Sequence, residues 1–252
     1  MNEEDSTVCR FLSFKGVTGE QFLDESKLLV AAVSHFNDPL DCCPKYDGLA
    51  RQRLEAFHNP PGRAPIPEDP SVTARVMDKT RFDYPMGWRR EFSKEFGVVC
   101  FSETHRNNLM WSHYSDSHRG FAIEFDRRAD FLKALFLKVE YSDKRPCVVS
   151  SPDEQILATK SAEWRYEREW RLVMPLRALP WDTKTKRHYI PVAMSTVRKV
   201  FVGWMVASSD LQRVLSLRMN HPHIEVRRMV PFLDSFEMED LSWDDPALPP
   251  LA

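Results

Sequence analysis

Between Trp164 and Met174, WRYEREWRLVM, the residues Trp170, Leu172 and Met174 alternate with Arg171 and Val173. A period of two sends successive side chains to opposite faces, and it predicts a β-strand from Glu167 to Met174. The same reading predicts strands at Cys9–Phe14, Gly97–Ser102, Gly120–Phe125, Leu137–Tyr141, His188–Val192, Val197–Gly203 and His223–Met229. Apolar residues at three-to-four spacing predict helices over Thr18–Leu29, Ala50–His58, Val72–Lys79, Trp88–Phe96, Ser151–Thr159 and Ser208–Leu217. Thr18 is the expected N-cap of the first, and Ser208 or Ser209 of the last. Leu109–Tyr114 reads as a turn or a short helix. Asn37-Asp38-Pro39 stops regular structure, because the residue before proline is pushed out of the helical region. Prolines 60, 61, 65, 67 and 70 predict an extended surface loop. These elements describe an α+β fold in a single domain over 1–252, with a helical insertion at about 45–97 and a loose acidic tail at about 234–252.

Composition narrows the class. With 42% hydrophobic and 29% charged residues the chain is that of a globular domain, and no run approaches the roughly 20 apolar residues that span a bilayer. The N-terminus, MNEEDSTVCR, is acidic where a signal peptide is basic and then apolar, so a cytoplasmic protein without membrane association is expected. A formal net charge of -2 gives no general electrostatic grip on nucleic acid, although a local basic groove is compatible with it. Five cysteines without paired C-x-x-C spacing point to reduced thiols rather than a zinc site.

In a strand, Glu167 and Glu169 project from one face, close enough to perturb each other's ionisation, an arrangement suited to polar chemistry at a cleft mouth. The alternative is an edge strand whose Glu and Arg side chains form solvated ion pairs, each contributing about 0–1 kcal/mol. His105, His113 and His118 fit no zinc spacing, so no metal is expected of them. Clustered with Trp111 and Tyr114, they suit hydrogen bonding to, and stacking on, a planar ligand. For Ser34-His35-Phe36-Asn37-Asp38-Pro39, a plain turn is the simplest reading.

The segments RFLSF, SHFNDPLD, CFSETHRNNLMWSHYSDSHRGFAIEF, VEYSDK and TKSAEWRYEREWRL occur in that order over roughly residues 8 to 203. Together they resemble a bacterial family of unknown function whose members carry FNDPFD, MWSHYAD-x-H-x-G and W-x-Y-E-x-E-W-R. More distantly, Glu169-Trp170-Arg171-Leu172-Val173 is similar to the catalytic-glutamate strand of ADP-ribosyltransferases, above all the toxins that modify DNA. That resemblance implies a mixed, mostly antiparallel split sheet with a helical insertion, and NAD as substrate. It assigns Glu169 to stabilising the ribosyl cation and Glu167 to orienting the acceptor. Arg10 matches the first-strand position that holds nicotinamide, with Ser13 a further candidate contact, although Phe11-Leu12-Ser13 replaces the glycine-threonine that often follows the histidine type. Stacking falls to Tyr114 or Trp111, with His113 beside them, pyrophosphate contacts to Arg10 and Arg106, and ribose contacts to Asn37 and Asp38.

The leading expectation is therefore an NAD-consuming ADP-ribosyltransferase acting as a toxin or phage-defence effector, with a nucleic-acid or protein acceptor and a neutralising antitoxin or defence-system partner. Two alternatives stay open: a non-enzymatic nucleotide- or partner-binding module of a defence system, and a metal-dependent nuclease.

Overall fold

The period-two segments become strands of one large sheet in a computed structural model of the protein, which describes residues 6–45, 86–147 and 153–246. In chain order the described strands are β1 (Thr7–Leu12), β2 (Lys27–Val30), β3 (Phe96–Ser102), β4 (Phe121–Asp126), β5 (Leu135–Lys138), β6 (Glu140–Ser142), β7 (Thr159–Ser161), β8 (Glu169–Pro175), β9 (Trp181–Asp182), β10 (Arg187–Pro191), β11 (Val197–Val202), β12 (Glu225–Pro231) and β13 (Met238–Ser242). The helices are α1 (Val17–Glu25), α2 (86–95), α3 (Asn108–Tyr114), α4 (Asp153–Leu157) and α5 (Ser208–Asn220). The fold is mixed α/β with a mostly antiparallel sheet. None of the described helices is long and apolar enough to cross a membrane.

Two units are present, one from the described residues of Met1–Ala31, Val98–Lys138 and Arg165–Ala252, the other from those of Ala32–Gly97 and Val139–Trp164. The first contains the eight-stranded sheet, in the order β13-β12-β11-β4-β1-β3-β8-β5, and a small sheet β2-β10-β9. β11 and β12 pair in parallel, joined through α5. One face of the large sheet carries the main apolar core: Val8, Leu12, Phe101, Ile123, Phe125 and Leu172, packed against Phe22 of α1 and Leu211 and Val214 of α5. Burying a side chain such as Phe22 contributes about 1.5–3 kcal/mol. The intervening residues make a smaller cluster on the other face, where Cys9, Phe11, Ala122, Phe201 and Met229 meet Met110 and Trp111 of α3.

β1 runs beside β4 over its whole length, from Thr7↔Asp126 to Leu12↔Phe121. Its register with β3 is the single pair Cys9↔Ser102. Next to that pair, Arg10 Nη1 donates to the Cys100 carbonyl at 2.6 Å, so a guanidinium links the two strands.

Several expected boundaries move. The first helix stops at Glu25, because Ser26 turns left-handed (φ 52°) and donates to the Phe22 carbonyl, releasing Lys27–Val30 to pair with β10. Its N-cap position is Gly16 at φ 78°, a conformation glycine tolerates, and not Thr18. Ala207 holds the N-cap position of α5, so Ser208 and Ser209 lie inside the helix. Leu137–Tyr141 divides at Val139 between β5 and β6, and His223–Met229 shifts to β12. The tail expected to be loose contains β13, paired antiparallel with β12 from Arg227↔Ser242 to Pro231↔Met238. The helices expected at Ala50–His58 and Val72–Lys79 lie outside the described residues.

In the second unit, α2 realises the i, i+4, i+8 stripe: the Trp88, Phe92 and Phe96 rings stack at centroid distances of 5.0 and 4.9 Å. Arg89, on the same helix, is buried and donates to the carbonyls of Val33, Phe36, Asp38 and Pro39. The SHFNDP segment is therefore wrapped around a guanidinium. Each hydrogen bond to a charged group contributes about 1.5–3 kcal/mol, so Arg89→Ala is expected to cost about 3 kcal/mol or more. Hydrogen exchange is expected to speed up at Phe36 and Asp41, whose amides close turns in this segment. Arg89→Lys is expected not to restore protection, since an ammonium lacks the planar fork. In the same unit Lys160 and Asp41 form a buried ion pair at 3.4 Å, with the Lys160 ammonium 5.0 Å from the Trp164 ring centroid.

Candidate functional site

Glu167 and Glu169 do not share a strand. Glu167 ends a 3-10 helix, Ala162–Glu167, Arg168 adopts φ 45°, and β8 begins at Glu169. The left-handed residue breaks the i, i+2 relation, so the two carboxylates are held by different partners. Each is buried. Glu167 accepts from the Tyr114 hydroxyl at 2.5 Å, while its carbonyl accepts from Ser102 Oγ at 2.7 Å. Glu169 accepts from Arg171 Nε at 2.9 Å and Nη2 at 3.0 Å, a bidentate pair along one face of β8. The expectation of a solvated Glu–Arg pair names the right partners and the wrong environment, because Arg171 is 0% exposed.

Cys100 lies beside the second of these groups. Its thiol is raised well above the usual range by burial and then by the nearby Glu169 carboxylate, with Arg171 and Arg10 acting in the opposite sense. Arg10 donates to the carbonyl of this same residue. Arg10 thus meets the backbone carbonyl of Cys100, and Glu169, 159 positions beyond Arg10 in the sequence, its thiol.

Helix α3 supplies the aromatic side. Asn107 caps it by accepting from the amides of Leu109 and Met110. Tyr114 is half-buried on the smaller apolar cluster together with Tyr166, and Tyr166 Oη is 2.9 Å from His113 Nδ1. After the helix, Asp116, Ser117 and His118 are all left-handed, at φ 50°, 52° and 64°. Two glycines make this turn fit: a Cβ on Gly120 would lie 2.2 Å from the Leu12 carbonyl oxygen, and one on Gly203 would lie 2.0 Å from that of His118.

Trp111 is not a ligand platform. Its indole is 0% exposed, donates from Nε1 to the His105 carbonyl at 2.6 Å, and meets Phe11 edge-on at 5.2 Å. Ser13 Oγ accepts from the Lys15 amide in a local turn. Arg106 pairs with Asp240 at 3.2 Å. Asn37 and Asp38 belong to the second unit, where Asp38 Oδ1 accepts from the Leu40 amide at 2.8 Å, as a plain Asx turn does. The first unit thus holds two groups: Tyr114, His113 and Glu167, joined through Tyr166 and direct contacts, and Arg10 and Glu169, which share Cys100 as a neighbour. Sequence reasoning missed Cys100, Ser102 and Tyr166 as their links. Tyr166, in W-x-Y-E, was the one signalled by its motif.

A second polar group lies on the same sheet face. Asp240 on β13 meets His105 Nε2 at 2.9 Å and is also paired with Arg227 and Arg106. Burial pushes its carboxyl up, but His105 and then Arg227 outweigh this and hold it well below the usual range. Asp126 is held equally low by Arg128, against burial, and by Arg198. A depressed folded pKa means that the stabilisation is complete above the unfolded value of about 3.9 and is lost as pH falls through the folded one. Urea unfolding is therefore expected to lose stability steeply below about pH 4. Asp240→Asn is expected to flatten that slope.

The arrangement defines a mixed α/β protein with two buried polar pairs, Tyr114–Glu167 and Arg171–Glu169, around the start of β8. Over residues 110–172, from Met110 of α3 through Leu172 of β8, the chain is similar to a family described as a protein of unknown function (DUF2971). No curated protein and no solved structure matches it.

Proposed function

We propose that the first unit binds NAD and transfers its ADP-ribosyl group. The observation that carries this reading is that Arg10 and Glu169 are both neighbours of one residue, Cys100, the first at its carbonyl and the second at its thiol, beside the registered pair of β1 and β3. Leaving of nicotinamide breaks the bond from ribose C1′ to the cationic ring nitrogen, and the bonding electrons go with nicotinamide. Positive charge then develops on the ribose, and a fixed carboxylate beside it lowers the barrier. Glu169 supplies that carboxylate, oriented by the two Arg171 hydrogen bonds. The acceptor's lone pair forms the new bond to C1′, and its proton passes to a carboxylate or to water. Tyr114, its hydroxyl anchored on Glu167, offers the ring for stacking, and Arg10 offers a cation for the amide or pyrophosphate side. The resemblance to DNA-modifying toxins supports a nucleic-acid acceptor and a role as toxin or phage-defence effector, with a neutralising partner.

A second reading, a nucleotide-binding module without turnover, is favoured by one feature: both carboxylates are buried and already paired, as structural ion pairs are. Incubation of the full chain with NAD, alone and with DNA, RNA or protein, separates the two readings. Chromatographic release of nicotinamide, with a matching mass gain on an acceptor, supports transfer. Calorimetric NAD binding without release supports the module. Neither binding nor release rejects both.

A further inference from the structure

Independently of the NAD reading, Cys9 Sγ, a ring nitrogen of His105 and a carboxylate oxygen of Glu124 lie within 4.8 Å of one another. Cys9 and Glu124 are direct cross-strand partners on β1 and β4, so their side chains emerge side by side on the smaller apolar face. His105 arrives from the segment after β3, 96 positions beyond Cys9. Its ring lies flat on Phe201, with a centroid distance of 3.9 Å and an interplanar angle of 10°. Its Nε2 faces Asp240 at 2.9 Å, and Asp240 is held in turn by Arg227 and Arg106. When Nε2 donates its proton to that carboxylate, Nδ1 carries the lone pair.

We propose that Cys9, His105 and Glu124 bind one divalent transition-metal ion of the zinc class, with Asp240 as the residue that positions the histidine. The donors are one sulfur, one nitrogen and one oxygen. Zinc accepts this set, whereas calcium and magnesium require oxygens almost throughout. A carboxylate on the far nitrogen of the imidazole is the partner that metal-binding histidines regularly have. Bonds of about 2.0–2.3 Å require the three donors to close by roughly 1 Å, which side-chain rotation supplies. Three protein donors leave a fourth position for water or another group. Lys199, 3.8 Å from a Glu124 oxygen, is the competing cation, and it shares the carboxylate once the metal is bound.

The surroundings of Cys9 distinguish this from a thiol nucleophile activated by His105 and Asp240. Cys9 is 2% exposed, within the smaller apolar cluster. A nucleophile needs access, whereas a bound dication takes the proton's place on a buried sulfur. The metal would tie β1 and β4 to the segment that leads into α3, since the His105 carbonyl also accepts from Trp111.

The test uses the full chain, equilibrated with zinc and then with cobalt(II). Metal analysis after removal of free zinc is expected to give about one equivalent per chain, and the cobalt form is expected to show a thiolate-to-cobalt charge-transfer band. Cys9→Ser is expected to abolish the band. Asp240→Asn is expected to keep it and to weaken zinc binding by about tenfold or more. Cys100→Ser, which removes the other thiol facing the same unit, is expected to leave both stoichiometry and band intact. Absence of stoichiometric zinc, or a band that survives Cys9→Ser, would overturn the proposal. Should Cys9→Ser not fold, loss of zinc in a folded Glu124→Gln is read in its place, and full retention there overturns the proposal equally.

Discussion

Replacing Arg171 by alanine is expected to lower the free energy of unfolding by about 3–5 kcal/mol, because Glu169 is left charged and buried without its bidentate partner. Few single substitutions in this chain should cost more. The loss comes from stranding a charge and not from the net strength of the ion pair. The double substitution Arg171→Met with Glu169→Gln removes both charges at similar volume, and it is expected to recover most of the stability. Urea unfolding of the single and double variants closes the cycle. A loss below about 1 kcal/mol in Arg171→Ala would mean that the pair behaves as a solvated surface bridge.

Glu169→Gln is expected to reduce nicotinamide release by about 10²–10³-fold, the usual consequence of removing one preorganised electrostatic group from a transition state. Glutamine keeps the shape and one oxygen acceptor for Arg171 but leaves the buried guanidinium without its counter-charge, so a stability loss is expected as well and release is read on protein that circular dichroism shows to be folded. Alanine is the poorer probe. A strand-end glutamate at a cleft mouth could be truncated without harm to the fold, but a glutamate paired to a fully buried arginine cannot. Release at the parental rate in a folded Glu169→Gln would remove this residue from the chemistry. If release is undetectable in both proteins while NAD binds to each, the binding-module reading stands.

The period-two segments announced the large sheet because strands buried on both faces remain rich in apolar residues, as in Val197–Val202 and Phe121–Asp126. Helix α2 was legible from its aromatic stripe, whereas α3 was legible only as a turn or a short helix. β13 was not, since MEDLS sits at the sheet edge, where acidic residues are tolerated, and only its pairing with β12 makes it a strand. The end of α1 at Ser26 depends on β10 claiming Lys27–Val30, a partner more than 150 positions away. In the candidate site, Glu169 and Tyr114 carried motif signals. The left-handed Arg168 that separates the two glutamates carried none, because nothing in E-R-E announces a positive φ. Trp111 misled for a chemical reason: an indole suits stacking on a ligand and packing in a core equally well. Long-range placement decided between them. Cys9, His105 and Glu124 were invisible as a group, since no local spacing joins a strand cysteine to a partner across the sheet.

The interleaved composition of the two units affects how the chain must be made. β1 leaves the ribosome about 115 residues before its neighbour β4 has been translated, and the segments of each unit are separated by segments of the other. No single cut in the polypeptide releases either unit whole. A nascent chain halted anywhere before Phe96 therefore carries an apolar first strand without either of its neighbours in the large sheet, one that invites chaperone capture or aggregation.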